Sequence, residues 1–312
     1  MSFDIAPETA AAEFHARRAR WSALVAAGDF ETALPLVEEA LAWARETGEP
    51  TLVDRALCNR AAIALELGRG AAQLAELRSL LMRSEDGENS FLAAYTIARH
   101  YELAKEPRKG LFYARLARDR AALLDAPRRG SSLNLIANFL MSECRFDEAL
   151  ATYGEAESIF LDAEVAAPAE PADRLRAAVI GYNVGYCRVI SGDTTGGLGR
   201  IYRSVRELVR LGARRHEMLA RLDLAFALLE AGAPRHAGRH ADRALALGRE
   251  FADPASEKNA LYLAGAAASA RGDEFGARRR FSELQGAFFP DADYLPDLLL
   301  HVDVRQLVNL KA

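Results

Sequence analysis

A short turn recurs along this chain at nearly constant spacing, each time between two stretches of helical periodicity. It reads Gly28-Asp29-Phe30, Gly68-Arg69-Gly70, Lys105-Glu106-Pro107, Cys144-Arg145-Phe146, Gly192-Asp193-Thr194, Gly232-Ala233-Pro234 and Gly272-Asp273-Glu274. Successive turns are 40, 37, 39, 48, 40 and 40 residues apart. The long step contains Ala163–Ala172, whose two prolines and missing periodicity read as an inserted loop. Length alone, 312 residues, would suggest two domains at roughly 150 residues each. The constant period points instead to one array, because a repeat that cannot bury its apolar face alone must stack on its neighbours.

Each period reads as a helical hairpin. Before a turn, apolar residues fall at helical spacing, as in Leu135-Ile136-Ala137-Asn138-Phe139-Leu140-Met141, and after it a second amphipathic stretch begins, as in Phe146–Tyr153. Glycine suits the turn because the chain leaves the first helix through a left-handed conformation. Seven positions earlier stand small residues, including Ala137, Gly185, Ala225 and Gly265, which let the two helices approach closely. Strand signals are almost absent, with no sustained two-residue alternation and no Asn-Gly turn.

These residues carry a family resemblance. Asn183-Val184-Gly185-Tyr186 followed by Gly192-Asp193 resembles the first helix and turn of a tetratricopeptide repeat (TPR), and Cys144–Leu150 with Tyr153 and Ala156 resembles its turn and second helix. The first unit repeats the frame with Gly28–Leu34, Val37 and Ala40. Seven units are placed at about 13–47, 50–84, 88–125, 128–163, 172–212, 213–252 and 253–288, with a capping helix over 291–312. The period exceeds the usual roughly 34 residues, which implies longer helices of the kind found in bacterial regulators. Units 2, 3 and 6 are degenerate: Lys105 replaces the turn glycine, and Gln73 and Gly110 replace the usual alanine early in the second helix. The resemblance implies an all-α fold, a right-handed superhelical solenoid treated as a single domain over 1–312.

It further implies that ligands bind in a concave groove lined by the first helix of each hairpin. Projected onto this sequence, that surface carries His15, Arg18 and Ser22; Arg55 and Asn59; Tyr95 and Arg99; Asn134 and Asn138; Tyr182, Asn183 and Tyr186; Phe226; and Asn259 and Tyr262. The peptide-groove candidates are Arg18, Arg55, Asn59, Tyr95, Arg99, Asn134, Asn138, Tyr182, Asn183 and Tyr186. An asparagine amide both donates to and accepts from a peptide backbone, tyrosine offers flat apolar area at small ordering cost, and arginine pairs with carboxylates. Packing at helical spacing is the competing reading for Tyr182 and Tyr186, and a solvated face is that for Asn134 and Asn138. The lysine-and-asparagine carboxylate clamp of chaperone-binding members is not clearly reproduced.

A basic stripe, Arg235, Arg239 and Arg243 with His236 and His240 between them, falls on the second helix of unit 6. Residues four apart share a face, so the three guanidinium groups offer an anion patch, against the simpler reading of a solvated outer face. Lysine occurs only at Lys105, Lys109, Lys258 and Lys311, an imbalance that GC-rich, bacterial codon usage explains more simply than selection for anion contacts.

Catalytic and cofactor chemistry finds no support. His236 and His240 lack the glutamate of HExxH, and flanking arginines repel a metal ion. Gly192–Gly199 is glycine-rich but lacks the Lys-Ser or Lys-Thr of a phosphate loop and coincides with a repeat turn. Cys58, Cys144 and Cys187 form no CxxC pair and match no nucleophile signature. A net charge of −4 and a pI near 6.0 disfavour nucleic acid as a partner. No export signal or membrane span is seen, and the unpaired cysteines suit a reducing cytoplasm. The expectation is a non-enzymatic scaffold or adaptor, without metal or cofactor, whose groove binds a peptide or helical segment of another protein. The alternative is a sensor in which a peptide or small molecule controls a partner's activity. Leu298-Leu299-Leu300 would serve homo-oligomerisation or cap the last repeat.

Overall fold

The computed structural model describes residues 7–166 and 171–311. Among them the regular structure is helical, with no strand. The chain divides into two compact units, Met1–Glu143 and Cys144–Ala312. The first contains α1 (Pro7–Ala27), α2 (Phe30–Thr47), α3 (Pro50–Glu66), α4 (Leu74–Arg83), α5 (Gly87–Leu103), α6 (Pro107–Ala121) and α7 (Ala126–Ser142). The second contains α8 (Phe146–Ala166), α9 (Pro171–Ile190), α10 (Thr194–Arg210), α11 (Arg214–Glu230), α12 (Pro234–Glu250), α13 (Pro254–Ser269), α14 (Glu274–Phe288) and α15 (Leu295–His301). Within the units, α1, α3, α5, α9, α11 and α13 are the first members of hairpins, and α2, α4, α6, α10, α12 and α14 the second.

Every turn read from the sequence takes the backbone conformation expected of it. Gly28, Gly68, Gly192, Gly232 and Gly272 have φ between 68° and 95°, and the two substitutes, Lys105 and Cys144, sit at 56° and 59°. The reason the turns so often read Gly-Asp is local. At the end of α1, Gly28 N–H donates to Val25 O (3.0 Å) and Asp29 N–H to Leu24 O (2.9 Å), closing the carbonyls a helix end would leave open. Asp29 then caps α2 by accepting from Thr32 N–H at 3.2 Å, and Asp193 and Asp273 do the same for α10 and α14 from Gly196 and Gly276, each at 2.9 Å.

Small residues before the turns set how closely the hairpins cross. Ala137 and Ala225 are fully buried. In the α9–α10 hairpin a Cβ on Gly185 would meet the Gly197 carbonyl at 2.8 Å, so two glycines bring backbone against backbone. The core accordingly mixes alanine with a few large side chains, Phe139, Tyr153, Tyr186 and Phe281 among them.

Three expectations meet a different structure. The inserted loop over Ala163–Ala172 is shorter: α8 runs to Ala166 and α9 begins at Pro171, a proline that fits the first helical turn. The stretch between them, 167–170, lies outside the described residues. In unit 2 the second helix opens with a 3₁₀ turn, Gly70–Gln73, and α4 is only 10 residues long. The capping helix expected over 291–312 is α15 alone, ending at His301. Past it, Asp303 accepts from the Arg305 backbone N–H (3.0 Å) and pairs with its guanidinium, and these local bonds offer the backbone an alternative to helix. A single 3₁₀ turn, Arg305–Leu307, interrupts an otherwise non-helical segment, Val302–Lys311.

Candidate functional site: the faces of the first helices

In the first unit the candidate residues fall into bands along α3, α5 and α7. At the helix starts, Arg55 on α3 pairs with Glu88 on α5 at 2.7 Å, and Glu88 also pairs with Arg128 on α7. At the helix ends, Arg99 on α5 bridges Glu66 on α3 (3.3 Å) and its own neighbour Glu102, while Asn138 on α7 donates to Glu102 at 2.7 Å. Glu102 first, then Glu66, hold the Arg99 guanidinium firmly charged. Between these two ladders lie Asn59, Tyr95 and Asn134, all half-buried. Tyr95 packs against Phe91 with ring centroids 5.5 Å apart. The Asn59 Nδ2 is shielded from solvent and has no hydrogen-bond partner among the described residues. Arg18, on α1, is half-exposed, and its carbonyl accepts from Ser22.

Arg55 and Arg99, expected to meet a ligand carboxylate, are thus joined to glutamates of the same face. Those glutamates, Glu66, Glu88 and Glu102, were not among the sequence candidates. Glu66 and Glu102 are charged positions at the ends of first helices, each next to a buried core residue, Leu65 and Tyr101.

In the second unit Tyr182, Asn183 and Tyr186 on α9 are buried, at 3%, 4% and 0% exposure. What lies over this face includes the chain's own segment Val302–Lys311. The Leu310 backbone N–H donates to the Tyr186 hydroxyl at 2.8 Å. The Lys311 ammonium lies 2.7 Å from an Asp223 carboxylate oxygen on α11 and 5.0 and 5.2 Å from the ring centroids of Tyr182 and Tyr186. Arg305 donates to the Leu229 carbonyl at 3.1 Å and faces Glu230 at 3.5 Å, a cation at the C-terminal end of α11. From Arg305 to Lys311 the segment therefore runs back along α11 from its end towards Asp223. Phe226 meets Tyr186 edge-on at 5.5 Å, and Tyr262 on α13 is buried beside Asp303 and Arg305.

Burial raises the Asp223 carboxyl to about 6, against the opposing pull of Lys311. Burial first, and then the Asp223 charge, push the Tyr186 phenol upward too. Asp223 and Lys311 were absent from the sequence candidates, although Lys311 is one of only four lysines.

The arginine stripe lies on the exposed side of α12, opposite its buried residues Ala237, Ala241, Ala244 and Leu245. Arg243 reaches Glu217 of α11 at 3.5 Å, and Arg221 donates to His240 Nδ1 at 2.9 Å. Burial, reinforced by Arg221, keeps that imidazole neutral by lowering it to about 4. Arg235 and Arg239 are exposed. Among the described residues no cluster of His, Cys, Asp or Glu is placed to hold a metal ion. Burial pushes the Cys58 thiol up to about 12 and Cys187 to about 11, and each donates to a carbonyl, of Asn89 and Phe146. No helix among the described residues is long and apolar enough to cross a membrane.

No protein-family model matches the chain, and no curated protein does. Solved structures do. The apo form of RapI superposes with a TM-score of 0.59 at 10% identity, covering 95% of this chain and 85% of that one. A Rap protein complexed with Competence and Sporulation Factor gives 0.58 at 15% identity, with 96% and 97% covered. A Pyrococcus horikoshii signal transduction ATPase with a tetratricopeptide repeat sensor gives 0.55 at 14% identity, covering 88% of this chain and 46% of that one. By architecture the chain is an all-α protein of repeated helical hairpins. Its fold is of the tetratricopeptide-repeat type.

Proposed function

We propose that this is a non-enzymatic interaction protein whose first-helix faces bind non-helical segments of a partner protein. The observation that carries the reading is the seating of Val302–Lys311 on α9 and α11, where a tyrosine hydroxyl takes a backbone amide and a carboxylate takes a side-chain cation. Asn59, Tyr95, Asn134 and Asn138 offer comparable chemistry in the first unit, and the Asn59 Nδ2, without a partner among the described residues, is a donor that a ligand carbonyl would complete. The domain is a single seven-hairpin array of cytoplasmic, bacterial type in this reading. Arg243, exposed like Arg235 and Arg239, is turned towards Glu217, so the anion patch falls to Arg235 and Arg239.

The test is capture of pooled synthetic peptides by the full chain, compared with a variant carrying Asn59→Leu, Asn134→Ala and Asn138→Ala. Loss of captured peptides from the variant supports the groove assignment; an unchanged set removes it. A sensor remains the second reading, supported by likeness to a Rap protein complexed with a factor and to a repeat described as a sensor. Binding of the whole partner protein with and without a captured peptide or metabolite separates the two: in a sensor the small ligand changes the partner's affinity from a separate site, in an adaptor it competes with the partner for the groove.

A further inference from the structure

The Asp223 carboxylate is 1% exposed, and an isolated buried carboxylate is costly. Its ion-pair partner comes from no neighbouring helix but from Lys311, 88 residues further along the chain. Two tyrosine rings flank that ammonium, and the hydroxyl of one of them fixes the backbone one residue earlier. Asn309 adds its own side chain, accepting from Lys311 N–H at 3.0 Å and lying 3.4 Å from the Tyr186 hydroxyl. A buried anion, aromatic walls and a backbone acceptor together recognise a primary ammonium on a non-helical chain. Arg305 holds the other end of the segment through the Leu229 carbonyl and Glu230.

We infer that Asp223, Tyr182 and Tyr186 form a lysine-recognition site for a partner's non-helical segment, and that Val302–Lys311 is a resident ligand which the partner must displace. The inference rests on the reading of first-helix faces as segment-binding surfaces and specifies its ligand in the second unit. Displacement is chemically symmetrical: one ammonium leaves Asp223 and another arrives, so the buried carboxylate is paired before and after. A segment without lysine would leave it unpaired, which is the basis of selection. A guanidinium is planar and broader than an ammonium and would have to fit between the two rings, which makes arginine the informative near-miss.

The experiment uses the full chain and a full-chain variant carrying Arg305→Ala and Lys311→Met, which loosens the resident segment and leaves the face intact. The probe is the labelled peptide His-Val-Asp-Val-Arg-Gln-Leu-Val-Asn-Leu-Lys-carboxamide, together with the same peptide ending in methionine. The loosened chain should bind the lysine peptide at least tenfold more tightly than the wild type does, and at least tenfold more tightly than it binds the methionine peptide. Adding Asp223→Asn should remove the preference for lysine. In the wild type alone, the Leu310 amide should exchange with deuterium at least tenfold more slowly than an unprotected amide. An unprotected Leu310 amide, or equal binding to wild type and loosened chain, overturns the resident ligand. Equal binding of the two peptides overturns the lysine site but leaves segment binding standing. Failure of the loosened chain to hold any peptide, including those of the pooled capture, removes both. Circular dichroism of each variant verifies its fold, and the comparison of two peptides on one protein does not depend on any added substitution folding.

Discussion

Ala252, between α12 and α13, has a φ of 49°, a conformation that costs an L-residue about 1–2 kcal/mol and glycine almost nothing. Replacing it with glycine should raise the unfolding free energy by about 1 kcal/mol after the larger unfolded-state entropy of glycine is deducted. Cys144→Gly should act in the same direction, and urea denaturation midpoints check both. Asp223 supplies the pH dependence. A free aspartate titrates near 4, whereas buried Asp223 holds its proton up to about 6. The charged group that bears on it is Lys311, and burial, followed by the Asp223 charge, keeps the Tyr186 phenol neutral throughout this range. Pairing with Lys311 needs the ionised form, so protection of the Leu310 amide should be full at pH 7.5 and fall as pH drops through 6. The global effect has the opposite sign. Because the folded state binds this proton more tightly than the unfolded one, Asp223's own contribution to stability increases as pH falls from about 6 towards 4. Local exchange and global denaturation should therefore diverge over that window, and agreement between them would contradict the assignment.

Helix crossings and lateral ladders are the elements' own scale. Gly185→Val would force two extra methyls and a Cβ between α9 and α10, where the Gly197 carbonyl already stands, and should cost about 2–3 kcal/mol or more. Thermal denaturation measures it. Arg99→Met would leave Glu66 and Glu102 facing one another without their shared cation. The half-buried setting suggests a loss of about 1–2 kcal/mol, partly recovered when Glu66→Gln is added in a double-mutant cycle. At this scale most of the fold was legible. Five of the seven turns carry glycine and three of those also aspartate, residues with separate, local jobs there, and local jobs leave local signatures; Lys105 and Cys144 were found by the constant spacing alone. The pairings of Arg55 and Arg99 were not legible, because a sequence shows which residues share a helix face but not which neighbour reaches across. The lysine site was hidden for a stronger reason. Asp223 and Lys311 stand 88 residues apart, and no periodicity links a position on a helix to one on a non-helical segment.

Across the whole molecule, arginine accounts for nearly all positive charge, and the described ion pairs give it a use. Arg69–Glu31, Arg128–Glu88, Arg214–Glu250 and Arg280–Asp242 join residues 38, 40, 36 and 38 positions apart, close to one repeat period. Arg69–Glu31, Arg128–Glu88 and Arg280–Asp242 each link consecutive repeats within their unit, whereas Arg214–Glu250 ties the start of α11 to the end of α12 in one hairpin. The forked guanidinium can hold two oxygens at once, as Arg214 does on Glu250. Replacing Arg214 with lysine should cost a few tenths of a kcal/mol at low salt, with the difference shrinking in 1 M NaCl, since both side chains are nearly half exposed. The segment seated on α9 and α11 has a consequence of another kind. A ligand tethered to its own receptor is present at an effective concentration of roughly millimolar order, whatever the concentration of the protein. Any incoming segment must outcompete that standing occupancy, so weak encounters are filtered out and binding acquires a threshold. Changing Arg305 or Lys311 would move the threshold without altering the receiving face, allowing one set of helices to be retuned for scarcer or more abundant partners.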